Sequence, residues 1–368
     1  MNFTCRTILA PIAPILEDEF GVSHTAAGGL FAAISIGNGV ALFLMGIFSN
    51  TLGHKRSIIF SFICNAFFLL VLSQNKVFLL FYPFLFALGF TAGTYLPSAI
   101  SIITKVYSEK LWGKVIPIHD SGASASILLA PFIAYQLLKY VSWRGVFLLL
   151  GFCFVFLSLV FYLITREVEE IKVEKGDTKK IFFEIVKNRT LWAISIILIF
   201  SAGANMGLYY ILPLFLSKEL MFDISFTQKV LGFSRIGSFF FVFLVGFVLD
   251  FFDIKKVLFV ILFISGFLTF FIPICPLDFM VYILFVQATI ISAMFPLCFV
   301  LSSRIIPLEK RAFAMGFVVS IASAVGIGVL PYILGFFGDY LSFALGIKIL
   351  GLTVIGISFV VFKIREGV

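Results

Sequence analysis

Charge is what this chain has least of. Asp, Glu, Lys and Arg make up 12% of 368 residues, against 61% hydrophobic residues and 50 Phe, and the mean hydropathy is +1.14. A water-soluble fold of this length needs a charged exterior that such a composition cannot supply. Lipid is therefore the solvent for most of the surface. Cys5, Cys64, Cys153, Cys275 and Cys298 lie singly within or at the ends of apolar runs and read as small packing residues rather than a disulfide framework. The three histidines are equally scattered. No metal-ligand spacing, no Ser and His pairing and no phosphate-cradling glycine loop is present, so no metal, cofactor, enzymatic activity or direct ATP drive is expected. The net charge of +8 could suggest nucleic acid. The basic residues sit at segment ends, however, where membrane orientation explains them, and no nucleic-acid partner is expected. Nothing ahead of Glu17-Asp18-Glu19 resembles a signal peptide.

What the chain does have is long apolar runs of about 20 residues. They fall near 3–16, 26–49, 57–73, 77–104, 115–138 and 145–165, then near 190–216, 227–250, 256–275, 279–303, 312–337 and 341–363. The runs are continuous rather than alternating, which disfavours barrel strands. The expected fold is an all-α membrane protein of twelve transmembrane helices in two six-helix bundles, at 1–165 and 190–368, joined by a charged linker at 166–189. The later linker, Lys179 to Lys187, reads equally as a surface helix or a solvated tether. The first run is short: 16 residues span about 24 Å against a hydrocarbon layer of about 30 Å. Either the true start lies upstream of Met1 or this helix is incomplete.

The halves repeat. Gly46-x-x-x-Asn50 leads into Gly53-His54-Lys55-Arg56, and 200 residues on Gly246-x-x-x-Asp250 leads into Lys255-Lys256. This offset predicts a pseudo-two-fold relation between the bundles. Lys and Arg number 19 on the linker side, five on the other and three (Arg6, Arg235, Lys348) inside segments. By the positive-inside rule the linker and both termini are cytoplasmic, and the setting is a prokaryotic cytoplasmic (inner) membrane.

The hinge at Gly46, Gly53, Lys55 and Arg56 resembles the signature loop of the major facilitator superfamily, with Asn50 and Thr51 departing from its acidic and basic positions. The second copy keeps Gly246 and Asp250 but has Phe251 where a basic residue is usual. Trp143-Arg144 after the fifth segment and Gly335-x-x-Gly338-Asp339 closing the eleventh extend the resemblance over the chain. It implies a monomeric secondary transporter whose bundles rock about a central site, with these loops gating one side. Asn50 is neutral and makes a charged latch doubtful in the first half, whereas Asp250 could serve one. Both loops also read as plain tight turns.

Charge inside a membrane needs a partner or a water-filled cavity. Arg6 and Arg235 both lie near mid-depth with no acidic residue level with them, and two such guanidiniums favour an anion between them. Several anion-carrying branches of that superfamily place Arg similarly. Asn205, Tyr209, Tyr210 and Gln287 offer polar company for a small solute. His119 and Asp120, at the start of the fifth segment, are the plausible titrating pair for proton coupling, although neighbours on a helix point about 100° apart and need not touch. Asp120 also reads as a helix-start carboxylate reaching water. The leading expectation is transport of a small anion, an organic carboxylate or an inorganic oxyanion, driven by a proton or by exchange. Drug efflux and a non-transporting receptor or scaffold of the same fold are the alternatives.

Overall fold

The computed structural model describes residues 1–166, 184–306 and 308–364; within them the side chains at 45–52, 109–110, 113, 117, 242–243, 245–250, 303–304, 308–309 and 312 are outside the description. The described residues are helical almost throughout and hold no strand. The first bundle comprises α1 (Thr4–Thr7 continuing as Leu9–Phe20), α2 (His24–Leu52), α3 (His54–Gln74), α4 (Phe81–Gly93 and Tyr95–Val106), α5 (Glu109–Leu137) and α6 (Trp143–Ile164). The second comprises α7 (Arg189–Glu219), α8 (Ile224–Phe233 and Ile236–Phe251), α9 (Ile254–Phe271), α10 (Leu277–Ile291 and Met294–Ile305), α11 (Leu308–Ile321 through Leu330–Tyr340) and α12 (Phe343–Ser358, tightening at Phe359–Lys363). Nine of these are long and apolar enough to cross a membrane among the described residues. Those outside that set are short (α1), rich in charge at one end (α5) or broken at an arginine (α8).

Several boundaries differ from the sequence expectation for identifiable reasons. α1 runs on to Phe20 and is stopped by Gly21, whose left-handed φ of 59° suits glycine. α5 begins at Glu109 rather than 115, because Lys110 and Lys114 ride on helical turns that continue beyond the apolar run. α4 and α10 break just ahead of Pro97 and Pro296, whose missing N–H leaves the carbonyls of Gly93 and Ser292 without their regular acceptor role. The expected hinge loops are mostly helix. α2 extends through Leu52 and only Gly53, at φ 84°, makes the turn into α3; α8 extends to Phe251 and Asp253 caps α9 through the Lys255 and Lys256 amides. Of the linker, residues 167–183 lie outside the described residues, and 184–187 are helical.

Within the first bundle α2 packs on α4 and α3 on α6; in the second α8 packs on α10 and α9 on α12, the same pairs shifted by six helices. Close approach is obligatory at Gly89, where an added Cβ would stand 1.9 Å from the Ile34 carbonyl oxygen. Between the bundles α2 meets α11, α5 meets α8 and α1 meets α7. The α2–α11 seam is tied by Ser320 Oγ donating to the Gly39 carbonyl (2.6 Å) and Ser323 Oγ to Asn38 Oδ1 (3.2 Å).

Two levels of contact hold the end of the molecule farthest from the linker. Inside each bundle an acidic residue fixes the start of the last helix: Glu19 pairs with Arg144 at 2.6 Å and accepts from Trp143 Nε1, while Glu219 accepts from the Phe343 and Ala344 amides, the latter at 3.1 Å. These positions are 200 residues apart. Between bundles, Lys218 pairs with Asp18 and stands 3.9 Å from Glu17. Asp339 of α11 caps α2, accepting from the His24 and Thr25 amides at 2.8 Å each and from the Thr25 hydroxyl. His24 in turn contacts Glu17 at 2.9 Å.

Candidate functional site

All six expected solute-facing residues, Arg6, Arg235, Asn205, Tyr209, Tyr210 and Gln287, are buried, and they converge on one segment of α7. That segment is irregular. Gly203–Gly207 forms a wide π turn, a feature that loosens the helix ladder and recurs at functional positions. A second π turn in α11, Ala322–Val329, lies against it. A Cβ at Gly326 would stand 2.3 Å from the Ile199 carbonyl oxygen, so the two helices meet backbone to backbone here.

Arg235 occupies the break in α8, between Phe233 and Ile236, and is 3% exposed. Its Nη1 donates to Asn205 Oδ1 at 2.6 Å and its Nη2 to the Asn205 carbonyl at 3.0 Å, so one residue of the π turn holds both terminal nitrogens. The Tyr209 ring lies 5.0 Å from the guanidinium carbon, within cation–π range. Gln287 secures the turn from α10: its Nε2 donates to the Ala204 carbonyl at 3.0 Å and to Thr269 Oγ1 at 3.1 Å. Asn205 and Gln287, expected to orient a solute, thus spend their groups on Arg235 and on the α7 backbone. The amide types were legible in the sequence, but which groups they would satisfy depends on the π turn, which has no periodic signature.

Arg6 approaches from the other bundle. It is 6% exposed, its guanidinium lies 5.0 Å from the Phe3 ring, and the Tyr210 hydroxyl lies beside it. Tyr210 stacks on Phe31 of α2 with ring centroids 4.5 Å apart. Tyr209 Oη donates to the Thr7 carbonyl at 3.4 Å, so adjacent tyrosines of α7 reach toward both arginines. Neither guanidinium forms an ion pair with a carboxylate among the described residues. Arg6 Nε and Arg235 Nε are buried with no hydrogen-bond partner among the described residues. Unsatisfied donors of this kind cost about 1–3 kcal/mol each, more when charged.

The expectation for His119 and Asp120 needs correction. They lie about 15 Å inside α5, ten and eleven residues from Glu109 at 1.5 Å per residue, not at its start. They also touch: His119 Nδ1 is 3.0 Å from Asp120 Oδ1, because a carboxylate arm can swing across the angle between helix neighbours. Tyr95 of α4, missed in the sequence, meets His119 Nε2 at 3.1 Å.

Of the expected gating residues, Gly46, Asn50, Gly246 and Asp250 lie in helix, and the surroundings of their side chains are outside the described residues. Gly53 makes its turn as expected, Lys55 Nζ donates to the Arg166 carbonyl at the end of α6 at 3.3 Å, and Arg56 is exposed.

The sequence profile of the Major Facilitator Superfamily matches residues 1–286 and 194–367. The chain belongs to that superfamily. It is accordingly an integral, multi-pass membrane protein. Among curated relatives of this superfamily member, a TsgA protein homolog of Buchnera aphidicola subsp. Baizongia pistaciae is 25% identical over 69% of this chain and 64% of its own length. The probable L-galactonate transporter of Escherichia coli is 20% identical over 47% and 38%. The glycerol-3-phosphate transporter of Bacillus subtilis is 22% identical over 60% and 55%. The chain therefore spans less than two thirds of the length of the relatives it matches. In fold it is similar to a bacterial homolog of the human lysosomal transporter Spinster in an inward-facing, unoccupied conformation (TM-score 0.81, 17% identity, 100% of this chain and 96% of that one). It is also similar to a D-xylose-proton symporter (TM-score 0.78, 15% identity, 99% and 95%).

Proposed function

We propose that this chain carries a small anion, an organic carboxylate or an inorganic oxyanion, by alternating access, driven by a proton or by exchange. The observation that carries the reading is the pair of buried guanidiniums, Arg6 and Arg235, one from each bundle, with no ionic partner among the described residues, each with an unsatisfied Nε donor and each beside a tyrosine, Tyr210 for Arg6 and Tyr209 for Arg235. Two unpaired cations in a lipid-embedded core are costly, and an anion arriving between them removes much of that cost. Relatives named for L-galactonate and glycerol-3-phosphate, both anionic solutes, point the same way. In this reading residues 1–165 and 190–368 are the rocking units, joined by the linker 166–189. The linker and termini face the cytoplasm of a prokaryotic cell, the protein sits in the inner membrane as a monomer, and the turns at Gly53 and Asp253 pace closure on the cytoplasmic side.

Uptake of lactate, gluconate, glycerol 3-phosphate and nitrate into proteoliposomes tests the reading. Arg6→Gln and Arg235→Gln should each lower transport of the preferred anion at least tenfold. Undiminished transport in the double variant would end it.

A further inference from the structure

We propose that Tyr95, His119 and Asp120 form one proton-carrying unit in which Nε2 of His119 takes up the coupling proton, with Tyr95 and Asp120 as its positioning residues. This rests on the proton-driven reading above and assigns the proton within it.

The imidazole is fixed on both nitrogens. Asp120 meets Nδ1 at 3.0 Å and the Tyr95 hydroxyl meets Nε2 at 3.1 Å. It is also fixed in tilt: the Tyr95 ring stacks with it at 5.7 Å and 20°, Phe62 of α3 stacks with Tyr95 at 5.6 Å and 22°, and Phe154 and Phe161 of α6 hold Phe62 edge-on. Rings from three helices thus set one imidazole carried by a fourth, which is more order than a packing histidine requires.

The hydrogen-bond chemistry then assigns the proton. An ionised carboxylate only accepts, so Nδ1 keeps its hydrogen in both protonation states, and Nε2 is the atom that changes. In the neutral ring Nε2 offers a lone pair and Tyr95 donates to it. When a proton from hydronium bonds to Nε2, that nitrogen becomes the donor, the Tyr95 oxygen accepts, and the hydroxyl hydrogen turns away. One N–H bond forms as one O–H bond of hydronium breaks, leaving water, and the new positive charge is balanced by Asp120.

The unit is placed to communicate with the arginine site without being part of it. Ser126, seven residues or about 10 Å along α5 from His119, is where α5 meets α1: Thr4 Oγ1 donates to Ser126 Oγ at 3.1 Å and Thr7 Oγ1 to its carbonyl at 3.5 Å, on either side of Arg6. Between His119 and Ser126, Gly122 faces open space among the described residues, and the Asp120 side chain is 56% exposed, which leaves the unit an open side from which a proton can arrive. The charged groups on the surrounding elements include Arg6 of α1, Lys55 and Arg56 of α3, Lys105 of α4, Lys114 of α5, Arg144 of α6 and Arg235 of α8; the contacts of His119 and Asp120 among the described residues are with each other and with Tyr95. A proton at His119 strengthens the field that draws an anion to Arg6 and Arg235, and the bound anion favours the proton equally, which is the reciprocity that coupling demands.

Two measurements test this. In protein labelled with 15N-histidine, assigned by loss of a signal in His119→Gln, neutral His119 should carry its hydrogen on Nδ1 alone, and Tyr95→Phe should admit the other tautomer. In proteoliposomes loaded with the best-transported anion of the four above, His119→Gln should raise the ratio of exchange to acid-driven accumulation at least tenfold, and Tyr95→Phe should move the pH optimum of accumulation by at least half a unit. Neutral His119 protonated on Nε2, or accumulation by His119→Gln equal to the wild type, overturns the proposal. Should the wild type exchange the anion but accumulate none under an acid gradient, the proton-driven reading has failed and the proposal falls with it; failure confined to the variants overturns the proposal alone.

Discussion

Replacing Asp339 by Ala removes a cap that joins the two bundles at the end farthest from the linker. In the closed arrangement seen here its carboxylate accepts from the His24 and Thr25 amides and the Thr25 hydroxyl, satisfying donors at the start of α2 with a group carried by α11. Losing a helix N-cap costs about 1 kcal/mol, and losing negative charge from a helix N-terminus a further ~0.3–1 kcal/mol. The interaction exists only while this end is closed, so roughly 2 kcal/mol is withdrawn from one conformation and not from its alternative. That changes their ratio about thirtyfold, enough to raise an open population of about 1% to about a quarter. Pulsed electron-spin distances between labels at Tyr140 and Met221, 83% and 81% exposed at the far ends of the two bundles, read this directly once the native cysteines are replaced. Asp339→Ala should add a longer distance that Asp339→Asn, which keeps one acceptor, shows only partly. Identical distance distributions in the wild type and Asp339→Ala would refute the assignment of this contact as a gate.

Lys218→Gln should shift the same distances in the same direction and less than additively with Asp339→Ala, because His24 links the two contacts through Glu17; strict additivity in the double variant would show the contacts to be independent. Gly89→Ala places a Cβ 1.9 Å from a backbone oxygen and should cost about 1–3 kcal/mol through overpacking, read as a lower melting temperature in detergent, and an unchanged melting temperature would contradict the close approach. Gln287→Leu leaves the Ala204 carbonyl and Thr269 without their donor and should weaken anion binding about tenfold by releasing the π turn; unaltered binding would sever the link between that turn and Arg235. Glu219→Ala should lower thermal stability while leaving the label distances of the closed state unchanged, since its contacts lie within one bundle, and a shift in those distances would argue against that separation.

The architecture was readable because lipid imposes a length on apolar runs, and the 200-residue echo of Gly46 and Lys55 in Gly246 and Lys255 divides them into halves. Arg6 and Arg235 stood out because a charge with no neighbour of opposite sign is conspicuous in such a sequence. What surrounds them was hidden. The π turns of α7 and α11 leave no period to detect, so the capture of Arg235 by Asn205 could not be foreseen, and Tyr95 reaches His119 from 24 residues away across two helices. The start of α5 was misplaced because hydropathy falls where a helix leaves lipid, whether or not the helix stops there. The far-end ion pair could have been found: Asp18 and Lys218 differ by the same 200 residues that relate the two halves.

That last correspondence bears on the symmetry of the halves. Positions 18 and 218 stand 200 residues apart, as Glu19 and Glu219 do, and they meet between the bundles. Two identical subunits would have set like charges face to face there. Opposite charge at this pair of positions is open only to a chain whose two halves differ in sequence, so the Asp18–Lys218 bond is a contact that a symmetric pair of identical halves could not make.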